Sequence, residues 1–446
     1  MSLFKAYDLR GKVPEDLDED IAYNIGRAYT ALYSPKTVAV GFDIRNESPM
    51  ISNALMEGLT DGGADVVNIG ICGTEEVYFA TFHGKLDGGI MVTASHNPKG
   101  HNGMKLVGPE SRPISADTGL QDIKALVDAN DFAPAGQKGK VIESHAKQDF
   151  VDHLLGYIDT NKLSPLKIVV DPGNGGAGIA VKELAPHLPF ELIYLNDTPD
   201  GDFPNGVPNP LLAENQSATA KAVLDNNADL GLAWDGDFDR CFFFDADGRF
   251  IEGYYLVGLL AETLLKKNPG SKIIHDPRLT WNTIEQTSAA GGTAIQSKCG
   301  HAFIKEIMRE QDAIYGGEMS AHHYFREFAY CDSGMIPWLL ITELMCTSGK
   351  SMKDLVDERM QAFPCSGEIN FRVENSAAII AAILEKYTPL ANEIDKIDGI
   401  SMDFGSWRFN LRASNTEPFL RLNVEARGDS GLLDEKTKEL SALIQS

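Results

Sequence analysis

Lys36-Thr-Val-Ala-Val-Gly-Phe-Asp43 is an apolar, β-branched run that closes on a carboxylate. A helix-forming stretch near 49–61 follows, and then a second β-rich run, Ala64-Asp-Val-Val-Asn-Ile69. The order repeats further along. Lys167-Ile-Val-Val-Asp171 leads through a glycine loop into a helix near 177–187 and on to Phe190-Glu-Leu-Ile-Tyr-Leu195. Lys272-Ile-Ile-His-Asp276 leads into a helix near 281–290 and on to Thr293-Ala-Ile-Gln296. Each unit reads strand, acid at the strand end, helix, strand. That βαβ order predicts parallel strands with ligand sites at their carboxyl ends. Repeat spacings of about 105 to 130 residues describe repeated domains rather than a solenoid.

The C-terminal region breaks the pattern. Glu368–Val373, Gly399–Phe404, Trp407–Leu411 and Phe419–Val424 read as short strands of an antiparallel sheet, and helices near 375–394 and 430–445 complete a small α+β domain. Polar stretches near 130–148, 247–252 and 361–368 mark boundaries, giving domains over 1–140, 141–250, 251–362 and 363–446. A chain of 446 residues is too long for one core, and three or four domains suit it.

Composition narrows the function. With 43% hydrophobic and 23% charged residues, the chain reads as an ordinary globular protein. No apolar run approaches the roughly 20 residues needed to cross a bilayer, and Met1-Ser2-Leu3-Phe4-Lys5 lacks a signal-peptide apolar core. Six cysteines are scattered without a C-x-x-C pair, as expected of reduced thiols in a cytoplasm. The net charge of −24 argues against nucleic acid or an anionic membrane as partner. A phosphorylated substrate would have to be held by a few concentrated cations and backbone amides.

Asp235-Gly236-Asp237-Phe238-Asp239-Arg240 carries the strongest chemical signal. In an extended segment its three carboxylates share one face and converge. Crowded carboxylates repel unless a cation sits between them, and oxygen-only donors select a hard divalent ion such as Mg²⁺. An EF-hand would need Gly and Glu at the loop's sixth and twelfth positions, where Arg240 and Ala246 stand. Taken alone, the loop also reads as a solvated acidic turn. Thr93-Ala-Ser95-His96-Asn-Pro98, after the apolar run Gly89–Val92, reads as a strand ending in a turn that presents Ser95. No G-x-S-x-G elbow surrounds it, so an acyl-transfer serine is not expected. Gly173-Asn-Gly175-Gly-Ala-Gly178 matches the dinucleotide pattern G-x-G-x-x-G and raises a dinucleotide-dependent oxidoreductase as an alternative. Asp171-Pro172 intervenes after the strand, however, and a tight turn feeding a helix is the better account.

Four loops together, TASHNP at 93–98, DGDFDR at 235–240, Gly317-Glu-Met-Ser-Ala-His322 and Arg412-Ala-Ser-Asn-Thr-Glu-Pro418, resemble the signature loops of the α-D-phosphohexomutase superfamily. They stand in the family's order, one to each inferred domain, and Phe4-Lys-Ala-Tyr-Asp-Leu-Arg10-Gly11 resembles its N-terminal element. The wording GEMSAHHYF is closest to bacterial phosphomannomutases, with Ala321 standing where relatives usually carry Gly. The resemblance implies an α/β fold of four domains: three similar α/β domains with mixed sheets, a C-terminal α+β domain, and an active site in a central cleft.

It further implies a cytoplasmic isomerase in which Ser95 carries a phosphoryl group and, with Asp235, Asp237 and Asp239, ligates Mg²⁺. Arg10, Lys105 and Arg240 would surround the travelling phosphoryl, and His96 lies beside the serine. Glu318, Ser320 and His322 would read the sugar, with Tyr7, Arg278 and His301 as further substrate contacts. Arg412, Ser414, Asn415 and Thr416 would clamp the non-reacting phosphate. His96, His301, His322, Glu318 and Lys105 all stay open as proton carriers. The implied reaction interconverts mannose 6-phosphate and mannose 1-phosphate through a hexose 1,6-bisphosphate, which also serves as activator. It would feed GDP-mannose and surface-polysaccharide synthesis. Dual use of mannose and glucose phosphates is one alternative, and a phosphosugar-binding protein without catalysis is another.

Overall fold

The computed structural model describes residues 3–134, 136–413 and 419–445. The chain condenses into two compact units, Met1–Phe250 with His322–Gly349, and Ile251–Ala321 with Lys350–Ser446.

The first unit holds two mixed sheets. One runs in the order Leu9–Lys12, His101–Val107, Gly88–Val92, Thr37–Phe42, Asp65–Ile71, Val141–Glu143. Thr37–Phe42 lies parallel to both Asp65–Ile71 and Gly88–Val92, as the βαβ reading requires. The pairs of His101–Val107 with Gly88–Val92 and with Leu9–Lys12 are antiparallel and make the sheet mixed. The helix Glu19–Tyr33, absent from the sequence reading, covers this sheet together with Ser48–Asp61. Its start is fixed locally: the Ile21 amide donates to Asp18 Oδ1 at 2.8 Å, and Glu19 and Asp20 add charge to the first turn. Ser34 ends it in a left-handed cap. Ala22, Ile25, Ala28 and Tyr29 join Val38, Val40, Leu55 and Leu59 in one apolar core.

The second sheet sets Cys241–Phe244, Leu230–Trp234, Lys167–Asp171 and Glu191–Tyr194 side by side. Lys167–Asp171 pairs in parallel with both neighbours, and Leu230–Trp234 forms an antiparallel hairpin with Cys241–Phe244. His323–Phe325 and Cys331–Asp332 form a further antiparallel pair, followed by the helix Ile336–Ser348, buried from Ile336 through Glu343.

In the second unit, Lys272–His275 lies parallel to Thr293–Gln296 and to Tyr315–Gly317. The C-terminal sheet orders Cys365–Arg372, Phe419–Ala426, Trp407–Ala413, Ile400–Asp403 and Glu393–Asp395, every pair antiparallel. Trp407, Phe409, Leu411, Leu420, Leu422 and Val424 form its core with Ile383, Tyr387, Leu440 and Ile444 of two helices. The helix expected near 375–394 stops earlier, spanning Ser376–Tyr387. Pro389 has no N–H to donate back along the helix, so the chain turns and enters the strand Glu393–Asp395 instead. Pro186 has the same effect on the helix expected near 177–187, whose α-helical part is Ala177–Leu184. Among the described residues, no helix is long and apolar enough to cross a membrane.

Candidate functional site

The acids at the three strand ends organise the loops that follow them. Asp43 accepts from Thr93 Oγ1 at 2.7 Å and from Ser48 Oγ at 2.5 Å. Asp171 accepts from Thr219 Oγ1 at 2.7 Å and from the Gly173 amide at 3.0 Å. Asp276 accepts the Met319 amide at 2.8 Å and Arg278 Nη2 at 2.8 Å. Burial raises the Asp43 and Asp171 carboxyls. For Asp276 the same effect is overridden by the Arg278 guanidinium, which lowers it.

Ser95 stands in the turn after the buried strand Gly88–Val92, in the left-handed region at φ 47°. Its amide donates to Thr93 Oγ1 at 2.8 Å, and the Asn97 amide closes the turn onto Ala94 O at 2.9 Å. Its hydroxyl donates to Asp235 Oδ2 at 2.9 Å and lies 3.1 Å from His96 Nδ1. Asp235, Asp237 and Asp239 are all buried, with ligating oxygens within 4.8 Å of one another. They do not reach this through an extended segment, as the sequence reading supposed. The chain reverses at Gly236 and Asp237 between two antiparallel strands, and the Phe238 amide bonds to Asp235 O at 3.1 Å. A strand running straight through would carry these positions away from Ser95; the hairpin tip folds them into one cluster. Gly236 is required there, because a Cβ at that position would stand 2.4 Å from Ser95 O.

Cations meet the carboxylates. Lys105 Nζ donates to Asp237 Oδ2 at 2.7 Å and to Asp239 Oδ2 at 2.5 Å. Burial disfavours its charge, but these two carboxylates outweigh that and raise its pKa. Arg240 Nη2 and Nε donate to Asp235 Oδ2 at 2.7 and 2.9 Å. Arg10 Nε donates to Asp8 Oδ2 at 2.9 Å, and Arg10 Nη1 reaches Asn97 Oδ1 at 3.5 Å. Burial raises the Asp239 carboxyl to about 6, with Asp237 adding repulsion. Asp237 is lowered, because Lys105 and Arg10 overcome its burial. His96, whose ring is partly open to solvent, is held well below the usual imidazole range by desolvation of its inner edge and by Arg240, whose Nη2 lies 2.6 Å from its Nδ1. A neutral ring accepting at Nδ1 follows. His322 is raised despite burial, by Asp239 and by Asp332, whose Oδ2 lies 2.9 Å from its Nδ1.

The cluster fits a hard cation. Among the described residues, none hydrogen-bonds the buried Asp237 Oδ1 and Asp239 Oδ1, which is costly unless something positive meets them. The donor set is all oxygen, the choice of Mg²⁺ or Ca²⁺ rather than a soft metal.

Of the remaining predicted residues, Tyr7 is half-buried in the bend before Leu9–Lys12. Arg278, His301, Glu318, Ser320 and Arg412 belong to the second unit. There Arg278 Nη2 donates to Ser320 Oγ at 3.2 Å and lies 3.6 Å from Glu318 Oε1. Glu318 accepts the Gly300 amide at 3.0 Å, beside His301 at the start of the helix His301–Gln311. Arg412 pairs with Asp398 at 3.3 Å and approaches Glu368 at 3.9 Å, a carboxylate that also meets Arg278 at 3.4 Å and Arg421 at 3.8 Å. Ser414, Asn415 and Thr416 lie outside the described residues. The glycine pattern 173–178 leaves no opening for a pyrophosphate at its first glycine: a Cβ on Gly173 would stand 2.6 Å from the Pro208 side chain.

Several residues of these sites escaped the sequence reading. Thr74 Oγ1 donates to Asp237 Oδ2 at 2.6 Å, Asp332 orients His322, and Arg421 faces the Glu368 carboxylate. Only Arg421 carried a signal, as the lone cation of the strand Phe419–Ala426.

Family models cover most of the chain. Those described as Phosphoglucomutase/phosphomannomutase, alpha/beta/alpha domain I, II and III match residues 1–134, 148–248 and 252–363, and the C-terminal domain matches residues 368–442. The chain belongs to the phosphoglucomutase/phosphomannomutase family and is an isomerase of the phosphomutase kind. It is 60% identical over 443 residues to a protein of Xanthomonas campestris pv. campestris described as "Phosphohexose mutases", covering 99% of each chain. It is 57% identical over 453 residues to a phosphomannomutase of Salmonella montevideo, covering 100% of this chain and 99% of that one. A solved structure of a phosphoglucomutase/phosphomannomutase family protein from Burkholderia thailandensis matches with a TM-score of 0.88 at 32% identity, covering 98% of this chain and 96% of the other.

Proposed function

We propose that the protein is a phosphomannomutase that interconverts mannose 6-phosphate and mannose 1-phosphate, with the phosphoryl group carried on Ser95. The observation that carries the reading is Ser95 Oγ at 2.9 Å from Asp235 Oδ2, beside two buried carboxylate oxygens, of Asp237 and Asp239, that no described residue hydrogen-bonds. Close relatives described as phosphomannomutases support the choice of sugar.

In the first half-reaction the Ser95 Oγ–P bond breaks as a free sugar hydroxyl bonds to phosphorus, giving a hexose 1,6-bisphosphate. The hydroxyl proton leaves, and Ser95 Oγ regains one. The bisphosphate then turns over without full release and returns its other phosphoryl group to Ser95, and the same compound added in traces primes unphosphorylated enzyme. Asp235, Asp237, Asp239 and the phosphoseryl oxygen would hold Mg²⁺, which supplies charge neutralisation at the phosphoryl group. Lys105, Arg240 and Arg10 add positive charge around it. His96, neutral and bound by Arg240, sets the direction of the serine hydroxyl. His322, with Nδ1 turned to Asp332, moves the proton at the sugar hydroxyl through Nε2. Glu318 and Ser320 read adjacent ring hydroxyls, and Arg412 with Arg278 takes the non-reacting phosphate. Mannose 1-phosphate made this way would supply GDP-mannose for surface polysaccharide.

Ser95→Ala tests the assignment. Intact-mass measurement should show the loss of one acid-stable phosphate, and turnover should fall to nearly nothing. Retention of the phosphate or of wild-type turnover would place the phosphoryl carrier elsewhere. A dual mannose and glucose specificity is the second reading, motivated by the Xanthomonas relative described as "Phosphohexose mutases". Relative kcat/KM for mannose 1-phosphate and glucose 1-phosphate decides between the two.

A further inference from the structure

Arg45 follows Asp43 by two residues and was no part of the reading of either loop. It is 2% exposed, yet its guanidinium is surrounded by main-chain oxygens. Nη2 donates to Ser95 O at 2.7 Å and to Asn97 O at 2.6 Å. Nη1 donates to Pro98 O at 3.2 Å and to His101 O at 3.2 Å. The Phe203 ring lies under it, with its centroid 5.2 Å from the guanidinium carbon. Four carbonyls of the segment 95–101 therefore point at one cation. Without it, the four dipoles would converge on a point that holds no cation, and the buried Ser95 O would lose this donor.

The ion pair behind this closes a ring through the serine. Asp43 Oδ2 lies 3.4 Å from Arg45 Nε and accepts from Thr93 Oγ1 at 2.7 Å, and Thr93 Oγ1 accepts the Ser95 amide at 2.8 Å. The N–H of Ser95 is thus tied to Asp43 through Thr93, and its C=O to Arg45 directly. Both peptide groups of a residue in the left-handed region are held by one buried pair, and that backbone is not one a serine adopts without support.

We propose that Arg45 is a positioning residue for Ser95: its guanidinium locks segment 95–101 so that the serine oxygen is aimed at the reacting phosphoryl group. No contact with substrate is needed. The catalytic part of this inference rests on the proposed role of Ser95; the structural part does not. A planar fork of donors suits four converging carbonyls, whereas a lysine ammonium has three donors from one point and cannot serve all four.

The test compares wild type with Arg45→Lys and Arg45→Met. Amide hydrogen exchange over 93–101 should speed up in both variants while the rest of the first unit stays protected. With mannose 1-phosphate, kcat should fall by about 10²-fold for a displacement on the order of 1 Å, while KM stays at the wild-type value and the Lys variant keeps more activity than the Met variant. Where Arg45→Met fails to fold, Arg45→Lys retains charge and bulk and still reports. Unchanged exchange over 93–101 overturns the proposal, as does a kcat that falls only in step with the folded fraction. If wild type itself shows no mutase turnover, the functional reading fails separately, and the exchange data still decide whether Arg45 holds the loop.

Discussion

Gly236 sits where the metal-loop hairpin meets the serine turn, and its lack of a side chain lets the two backbones touch. Gly236→Ala should force them apart, lowering stability by about 1–3 kcal/mol and kcat by about 10²-fold. Thermal unfolding and steady-state kinetics on the same preparation check both, and a variant with wild-type kcat would mean that the approach has no catalytic role. Ser95 and the three aspartates could be read from the sequence because each sits in a short local pattern. Asp43 entered the sequence reading only as the acid that closes a strand, and Arg45 did not enter it at all. Their meaning lies in partners fifty or so positions away, and Thr74 finds Asp237 at a separation of 163. Nothing in a linear pattern marks such pairings.

At the scale of elements, two histidines are built into apolar surroundings. His323, on the strand His323–Phe325, is pushed down to about 3 by burial, with the charge of His322 adding to the effect. His153, on the helix Lys147–Leu155, is lowered by burial and by His83, and it lies among the rings of Phe79, Phe82, Tyr157 and Phe328. A histidine whose folded pKa is depressed stabilises the protein above its unfolded pKa of about 6.5, and that contribution is lost as pH falls toward the folded value. The urea midpoint should therefore drop between about pH 7 and pH 4, and His153→Phe should flatten part of the slope. A slope unaffected by that substitution would assign the acid sensitivity to other groups. The βαβ units were legible here because β-branched runs and glycine loops alternate over short distances. The early stop at Tyr387 was less so, since Leu390, Ala391 and Ile394 continue a helix-like spacing of apolar residues past Pro389 and hide the short strand Glu393–Asp395. The DGDFDR convergence was expected from alternation along a strand, which puts the three carboxylates on one face but spreads them along it; the hairpin between Leu230–Trp234 and Cys241–Phe244 is what gathers them.

For the molecule as a whole, four loops in a fixed order carried more than any single one, and the family match over four domains agrees with that order. The net charge of −24 makes the concentration of Arg10, Lys105 and Arg240 near three carboxylates meaningful, because a largely acidic chain holds a phosphorylated substrate only where cations are gathered. The most direct test of the account follows the phosphorus itself. Purified protein with Mg²⁺, mannose 6-phosphate and a trace of hexose 1,6-bisphosphate should convert the 6-phosphate resonance into that of mannose 1-phosphate in a ³¹P NMR time course, up to the equilibrium ratio and dependent on the metal. A spectrum that stays unchanged with mannose 6-phosphate, and again with glucose 6-phosphate, would contradict it.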